Sequence, residues 1–315
     1  MFGRSASAQQ KLPTIGWLGS GSSIAASQWV SAFTQRLREL GRIEGNTVAI
    51  EYRWAEGREQ RFTDIMGEFI RLKVDVVVTY SNAASLAAKQ ATTTIPIVFA
   101  AAGDPVGTGL VTSIPHPGGN VTSLSIQQTD LAGKRIEILR EIMPRLGTLA
   151  VLANARSANA GLEMEEAQAA ARSLGLDVIM SQVAVADDIA HAIEALKGRA
   201  DAIYTCSDPL LTTNRIRVNT LALGARLPTM HGFREYVEAG GLTSYGPNFP
   251  DLFRRAAEFV DKILRGVKPE DARPRKFPQE CPSLRPLPFG LAPAGCRHER
   301  ELAHHPFRRP PRKPA

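Results

Sequence analysis

The sequence predicts an α/β protein of two similar doubly wound parallel-sheet lobes joined by a hinge. Three observations carry that reading. Strand-length apolar runs alternate with helical periodicity from Thr14 onward, the order of landmarks in the first half recurs in the second, and 315 residues at 43% hydrophobic content can fill two ordinary cores. Strands alternating with helices imply right-handed crossovers and a sheet covered on both faces.

Thr14 to Leu18 reads as the first strand. Trp29, Phe33, Leu37 and Leu40 then fall on one helical face, and Gly41 can end that helix. Further strands are expected at Thr47 to Tyr52, Val74 to Thr79, Ile95 to Phe99 and Val121 to Ile126. A helix carrying Phe62, Ile65, Met66, Phe69 and Ile70 separates the first two of these.

The second half repeats this order. Ile15-Gly16-Trp17-Leu18 is matched by Leu149-Ala150-Val151-Leu152, and Leu40-Gly41 by Leu174-Gly175. Lys73-Val74-Asp75 leads to Tyr80-Ser81-Asn82 as Arg199-Ala200-Asp201 leads to Cys206-Ser207-Asp208, and Ile95-Pro96 is matched by Leu227-Pro228. A last helix carries Leu252, Phe253, Ala256, Phe259, Val260 and Ile263 and ends near Gly266. If that helix returns to the first lobe, several connections join the lobes, which makes a hinge. The expected units are a leader at 1–10, a first lobe of 11–126 plus about 246–269, a second lobe of 127–245, and a tail of 270–315.

The net charge of +7 suggests nucleic acid until it is divided by position. Residues 1–269 carry 28 Lys+Arg against 26 Asp+Glu, whereas 270–315 carry 10 against 5 together with ten of the 21 prolines. The body is nearly neutral, so no nucleic-acid partner is expected. The tail reads as a solvated, disordered segment or as the product of a shifted reading frame. Apolar runs such as Val74 to Val78, broken by Asp75, fall far short of a membrane span. Ala6-Ser7-Ala8 has the small-x-small form that signal peptidase reads, although no apolar stretch precedes it, and the leader is therefore expected to be the remnant of a truncated secretory signal.

Ligands of open parallel sheets sit beyond the carboxyl ends of the strands. The loops there are small and polar: Gly19-Ser20-Gly21-Ser22-Ser23, Tyr80-Ser81-Asn82, Ala101-Ala102-Gly103-Asp104, Asn154 to Asn159, and Ser207-Asp208. Such Ser, Asn and Asp residues cap helices by default, and the exposed N–H groups beside them can also bind a carboxylate or phosphate. A dinucleotide fingerprint fails because Ile24 stands where its third glycine belongs, and no Gly-Lys-Ser/Thr ends the glycine run. No G-x-S-x-G is present, Cys206 reads as a small buried hydrophobe, and the histidines of the body are isolated. Neither catalysis, a cofactor nor a metal is expected. The aromatics Tyr80, Phe233, Tyr236 and Tyr245 suit a cleft that closes on a small polar or amphipathic solute, with Tyr80-Ser81-Asn82 and Cys206-Ser207-Asp208 on opposite walls.

Several motifs carry a resemblance. Ile15-Gly16-Trp17-Leu18-Gly19-Ser20, the stretch from Leu40-Gly41 through Glu44-Gly45-Asn46 to Glu51-Tyr52-Arg53-Trp54-Ala55-Glu56-Gly57, and Thr93-Thr94-Ile95-Pro96-Ile97-Val98-Phe99 are the first three. Gly103-Asp104-Pro105-Val106, Pro117-Gly118-Gly119-Asn120-Val121-Thr122 and Glu238-Ala239-Gly240-Gly241-Leu242 with Ser244-Tyr245-Gly246 complete the set. Over about residues 11–269 the chain resembles the TrpX-like substrate-binding proteins of ABC transporters. The resemblance implies a type I periplasmic-binding fold, export to the periplasm and delivery of a small solute, in some relatives an aromatic amino acid, to a membrane permease. Its cleft loops carry over onto Ser20, Gly21, Tyr80, Ser81, Asn82, Asp104, Asn154, Ser207 and Asp208, and Tyr245 joins them as an aromatic of the cleft. Tyr80 stands where the resemblance leads one to expect a small residue. After Gly266-x-Lys268-Pro269 relatives continue with a strand and helix that complete the second lobe, whereas this chain turns Pro/Arg-rich.

For an amino-acid ligand, Asp208 is the expected partner of the ammonium, with Asp104 the alternative, and Ser20, Ser81 and Asn82 of the carboxylate. The competing reading of Asp208 is a helix cap alone. The competing classes are a doubly wound enzyme with a nucleotide cofactor and the effector domain of a regulator. The latter needs a DNA-binding unit before Thr14, where 13 residues stand.

Overall fold

The computed structural model describes residues 11–113, 118–126, 129–272 and 283–284. The expectations for 1–10 and for most of 270–315 lie outside the described residues.

The first sheet is built from β1 (Thr14–Gly19), β2 (Ala49–Trp54), β3 (Val76–Tyr80), β4 (Ile97–Ala102) and β5 (Val121–Ser125), in the order β2-β1-β3-β4-β5 and parallel throughout. Alternate residues of these strands face opposite layers. Ile15, Trp17, Val76, Val78 and Val98 share one core with α1 (Ser27–Glu39), while Leu18, Val77, Ile97 and Phe99 share another with α2 (Arg61–Leu72) and α3 (Asn82–Ala91). That period of two, buried on both faces, is why the strands read as continuous apolar runs.

The second sheet repeats the plan. It contains β6 (Thr148–Asn154), β7 (Asp177–Val183), β8 (Ala202–Thr205), β9 (Thr229–His231) and β10 (Thr243–Ser244), ordered β7-β6-β8-β9-β10, the same winding as the first. Helices α4 (Ala132–Ile142) and α5 (Ala158–Ser173) cover one face, and α6 (Asp188–Glu194), α7 (Pro209–Thr213) and α8 (Arg215–Gly224) the other. The short α9 (Arg234–Glu238) follows β9.

After β10 the chain leaves the second sheet. Helix α10 (Phe249–Leu264), capped by Asn248, which accepts the Asp251 N–H at 2.9 Å, packs on α1 and on β3 to β5 of the first sheet. A 3₁₀ turn, Pro269–Asp271, follows, and Thr122 Oγ1 donates to the Ala272 carbonyl at 2.8 Å, so the return to the first lobe runs on to 272. β11 (Ser283–Leu284) then pairs antiparallel with β10. Among the described elements the chain thus passes between lobes three times: from β5 to α4, from β10 to α10, and back to the second sheet at β11.

Strand limits moved by about two residues where side chains take the backbone out of the ladder. Thr47 holds a turn, accepting the Ile43 N–H at 2.7 Å and donating to the Gly41 carbonyl at 3.0 Å, so β2 begins at Ala49. Lys73 turns left-handed at φ 53° to close α2, and Asp75 accepts the Thr14 N–H at 2.7 Å, so β3 begins at Val76.

Candidate functional site

The two sheets point their carboxyl ends at each other across a cavity of about 310 Å³. From the first lobe come Ser20 and Gly21 after β1, Ser81 and Asn82 after β3, and Gly103 after β4. The second contributes Asn154, Arg156 and Ser157 after β6, and Ser207 and Asp208 after β8. These are the topological switch points where doubly wound sheets leave a crevice.

Aromatic packing holds the first wall. Trp29 stacks on Phe253 with ring centroids 5.6 Å apart, leans on Phe249 at 4.9 Å, and meets the Tyr80 ring edge-on at 5.4 Å. The Tyr80 hydroxyl accepts the Gly21 N–H at 3.3 Å, and burial pushes its pKa up to about 12, so it stays neutral at physiological pH. Tyr80 thus fills space under the Gly21 loop. Ser81 adopts φ 70°, unusual for a residue with a Cβ, and its Oγ caps α3 by accepting from Ala84.

Hydrogen bonds hold the second wall. Asp208 is 5% exposed, and its Oδ1 accepts from Asn154 Nδ2 at 3.0 Å and from the Leu210 N–H at 2.7 Å. Burial nonetheless keeps its carboxyl above the usual carboxylate range. Ser157 caps α5, accepting the Ala160 N–H at 3.2 Å. The first-turn N–H groups of Asn82 and Ala83 on one wall, and of Ala158 and Asn159 on the other, have no helical acceptor and lie at the cavity. Two helix N-termini therefore offer donors to an anion from opposite sides.

The lobes touch across the cleft. Asn159 Oδ1 accepts the Asp104 N–H at 3.1 Å and lies 3.5 Å from Asn82 Nδ2. Trp29 Nε1 donates to Glu235 Oε1 at 2.7 Å, and Gln28 to Glu238 at 3.4 Å. A Cβ on Gly21 would lie 2.8 Å from Thr213 Oγ1, and one on Gly103 2.5 Å from the Asn159 amide, so both glycines permit the close approach. Glu59 lines the cavity from the first lobe, and crowding by the chain raises its pKa, with Asp208 adding to the rise and Arg156 opposing it. Two reluctant carboxylates share the cleft.

Eight of the ten expected residues line this cavity: Ser20, Gly21, Tyr80, Ser81, Asn82, Asn154, Ser207 and Asp208. Two do not. The Asp104 carboxylate turns back to accept the Gly107 N–H at 2.8 Å, and Tyr245 packs against the second-lobe core. Asn82 is in the cavity wall with its amide already engaged, donating to Asp104 O at 3.0 Å and Thr108 Oγ1 at 2.7 Å and accepting from Gly103 N at 2.7 Å. Trp29, Phe62 and Glu59 were missed, and Arg156 and Asn159 were named only as members of the polar loop from Asn154 to Asn159. The first two were read as helix core, and only the meeting of the lobes brings the others together. Among the described residues no group of three His, Cys, Asp or Glu could hold a metal, and Cys206 is buried with its thiol pKa pushed up.

A family model described as ABC transporter substrate binding protein matches residues 22–280. The chain belongs to that family. It is 26% identical over 234 residues to a tyrosine-binding protein of Clostridioides difficile (strain R20291), covering 74% of this chain and 67% of the relative. A conserved domain protein from Vibrio cholerae O1 biovar El Tor is similar in structure at 27% identity and a TM-score of 0.77, with 82% of this chain and 87% of that one covered. An ABC domain in complex with L-Trp from Streptococcus pneumonia shares the fold at 24% identity and a TM-score of 0.79, with 87% and 92% covered. This substrate-binding protein is a solute receptor of an ABC importer and not an enzyme. Proteins of its family act outside the cytoplasm and bind small solutes for a membrane permease.

Proposed function

We propose that the cleft takes a single amino acid with an aromatic or large apolar side chain. The observation that carries this is the asymmetry of the interlobe cavity: aromatic rings on the first wall, and carboxylates and helix N-termini at the loops. Asp208 and Glu59 receive the ammonium, and the first turns of α3 and α5 the carboxylate, since an unpaired charge in a closed cleft is costly. Trp29, Phe62, Phe233 and Phe249 face the side chain. Ser20, Gly21, Tyr80, Ser81, Asn154 and Ser207 shape the walls, and Asn82 braces the Gly103 loop rather than meeting the solute. A volume of about 310 Å³ stands at the small end of the roughly 300–1,000 Å³ of small-molecule sites, which favours one residue over a peptide. The tyrosine-binding relative and the L-Trp complex of the neighbour support the same class.

We further propose that the lobes of 11–126 plus about 246–269 and of 127–245 turn as units about the three passages, and that the closed form delivers its solute to the permease in the periplasm. The small-x-small run Ala6-Ser7-Ala8 supports export. A thermal-shift screen of the protein against the amino acids tests the solute class. L-tyrosine, L-tryptophan or L-phenylalanine should raise the melting temperature most, and stabilisation by a carboxylate without an amine, with none by the aromatic amino acids, would overturn the reading.

A further inference from the structure

One guanidinium lies where three strand ends of the second lobe meet. Arg135, in the first turn of α4, and Glu163, on α5, are both fully buried. Arg135 Nη1 donates to Glu163 Oε1 at 2.8 Å and to the Tyr204 hydroxyl at 2.9 Å, while its Nε donates to the Tyr245 carbonyl at 2.7 Å. Tyr204 in turn donates to Glu163 Oε1 at 2.7 Å, and Glu163 Oε2 accepts the Ser207 N–H at 2.9 Å. The packing around this group is tight. A Cβ on Gly232 would lie 2.5 Å from Ser207 Oγ and 3.1 Å from Arg135 Nη2, and one on Gly246 would lie 2.1 Å from the Gly232 carbonyl oxygen.

The residues joined here belong to two different functions. Ser207 precedes Asp208 in the cleft wall, whereas Tyr245 and Gly246 begin the passage from β10 to α10. None of Arg135, Glu163 and Tyr204 lines the cavity, so any influence on the solute is indirect. Apolar residues of equal volume could fill the space, and such replacements are often neutral or stabilising. They could not accept from the Ser207 N–H or donate to the Tyr245 carbonyl, and buried backbone groups left unpaired are costly. We infer that the Arg135–Glu163 pair is a positioning element that ties the cleft loop Ser207–Asp208 to the hinge passage at 245–246, so that hinge movement and the shape of the second wall are one event. This holds whichever solute the cleft takes.

The test is amide hydrogen exchange on the full chain without solute, followed by mass spectrometry. Glu163→Gln should speed exchange about tenfold or more in both 206–208 and 243–247, with a smaller change in β6 and β7. Met164→Ala, the neighbouring core residue on α5, is the control and should lower the melting temperature without that linked pattern. The double variant Arg135→Met with Glu163→Leu refills the space with apolar side chains, so it should fold and melt only modestly below the parent while retaining fast exchange in both segments. It also covers the case in which Glu163→Gln does not fold. Unchanged exchange in the double variant, a response in only one of the two segments, or the same pattern in Met164→Ala would show a packing unit alone and overturn the inference. Because no solute is added, a failed solute screen and a failed exchange result are told apart.

Discussion

The two lobes share a winding order and hold their cleft walls by opposite means. In the first, Trp29 and Tyr80 are set by ring contacts with Phe249 and Phe253, two residues that arrive from α10 late in the chain. In the second, Ser207 and Asp208 are set by Glu163, Asn154 and the start of α7. Rings dominate the first wall and directed bonds the second. A repeat copies topology, and the side chains then divide the labour: the rings crowd the first wall, while each lobe brings one carboxylate and one helix start to the polar end of the cleft.

Acid should separate the lobes most strongly. His231 on β9 is fully buried, stacks on Tyr236 with centroids 4.2 Å apart, and has its pKa pushed down to about 3 by burial. Its unfolded value is near 6.5, so its neutral form stabilises the fold above that pH, and the stabilisation is lost as pH falls from about 6.5 towards 3. A gap of that size corresponds to roughly 5 kcal/mol, concentrated in the second lobe. Melting curves across this range should show the loss, and His231→Phe should flatten it. Mutation sharpens the contrast at similar cost. Trp17→Ala in the first core should lower stability by about 3–5 kcal/mol, and Arg135→Ala in the second should cost about as much, by leaving Glu163 buried and unpaired. The first should leave the second wall's amide exchange unchanged and the second should not.

Closure comes next in size. Gly103→Ala displaces the Asn159 amide from its bridge across the mouth, so solute affinity should fall about tenfold, or about 1.4 kcal/mol, while the melting temperature without solute stays within a degree or two. Equal affinity would mean that Asn159 does not help to hold the closed form. The caps give the smallest effects. Ser81→Ala and Ser157→Ala each remove one side-chain acceptor, at about 0.5–2 kcal/mol. The Ser81 change should cost no more than the Ser157 change, since any relaxation away from φ 70° relieves strain and offsets part of the lost cap.

The fold was legible because both sheets are buried on two faces, so strands such as Val76–Tyr80 stand out as apolar runs and the repeat fixes their order. Edges were less so. β7 is the outer strand of its sheet, mostly part-exposed, and Asp177–Val183 carries no run strong enough to announce it. At the site, loops after strands were readable as Ser81, Asn154 and Asp208 because helix starts demand those residue types. Glu59 was not, and Asn159 was readable only as the end of a polar loop, since nothing local marks a residue whose neighbour lies in the other lobe. Arg135 and Glu163, 28 positions apart on successive helices, carry no local signal of the pair they form once the fold closes over them.

Titration calorimetry of L-tyrosine and L-tryptophan into the protein and into Asp208→Asn tests the central claim most directly. Asparagine keeps the cap on α7 and removes only the charge. Losing one partner of a buried, hydrogen-bonded charge pair typically costs about 2–5 kcal/mol, so Asp208→Asn should weaken binding by roughly 30-fold or more with little change in melting temperature. Because Asp208 and Glu59 must be ionised to meet an ammonium and burial raises both carboxyls, the parent's affinity should begin to weaken at a higher pH than ordinary carboxylates would dictate as the solution is acidified. Equal affinity in parent and variant, with no pH dependence in that range, would leave Asp208 a helix cap and contradict the account of the cleft.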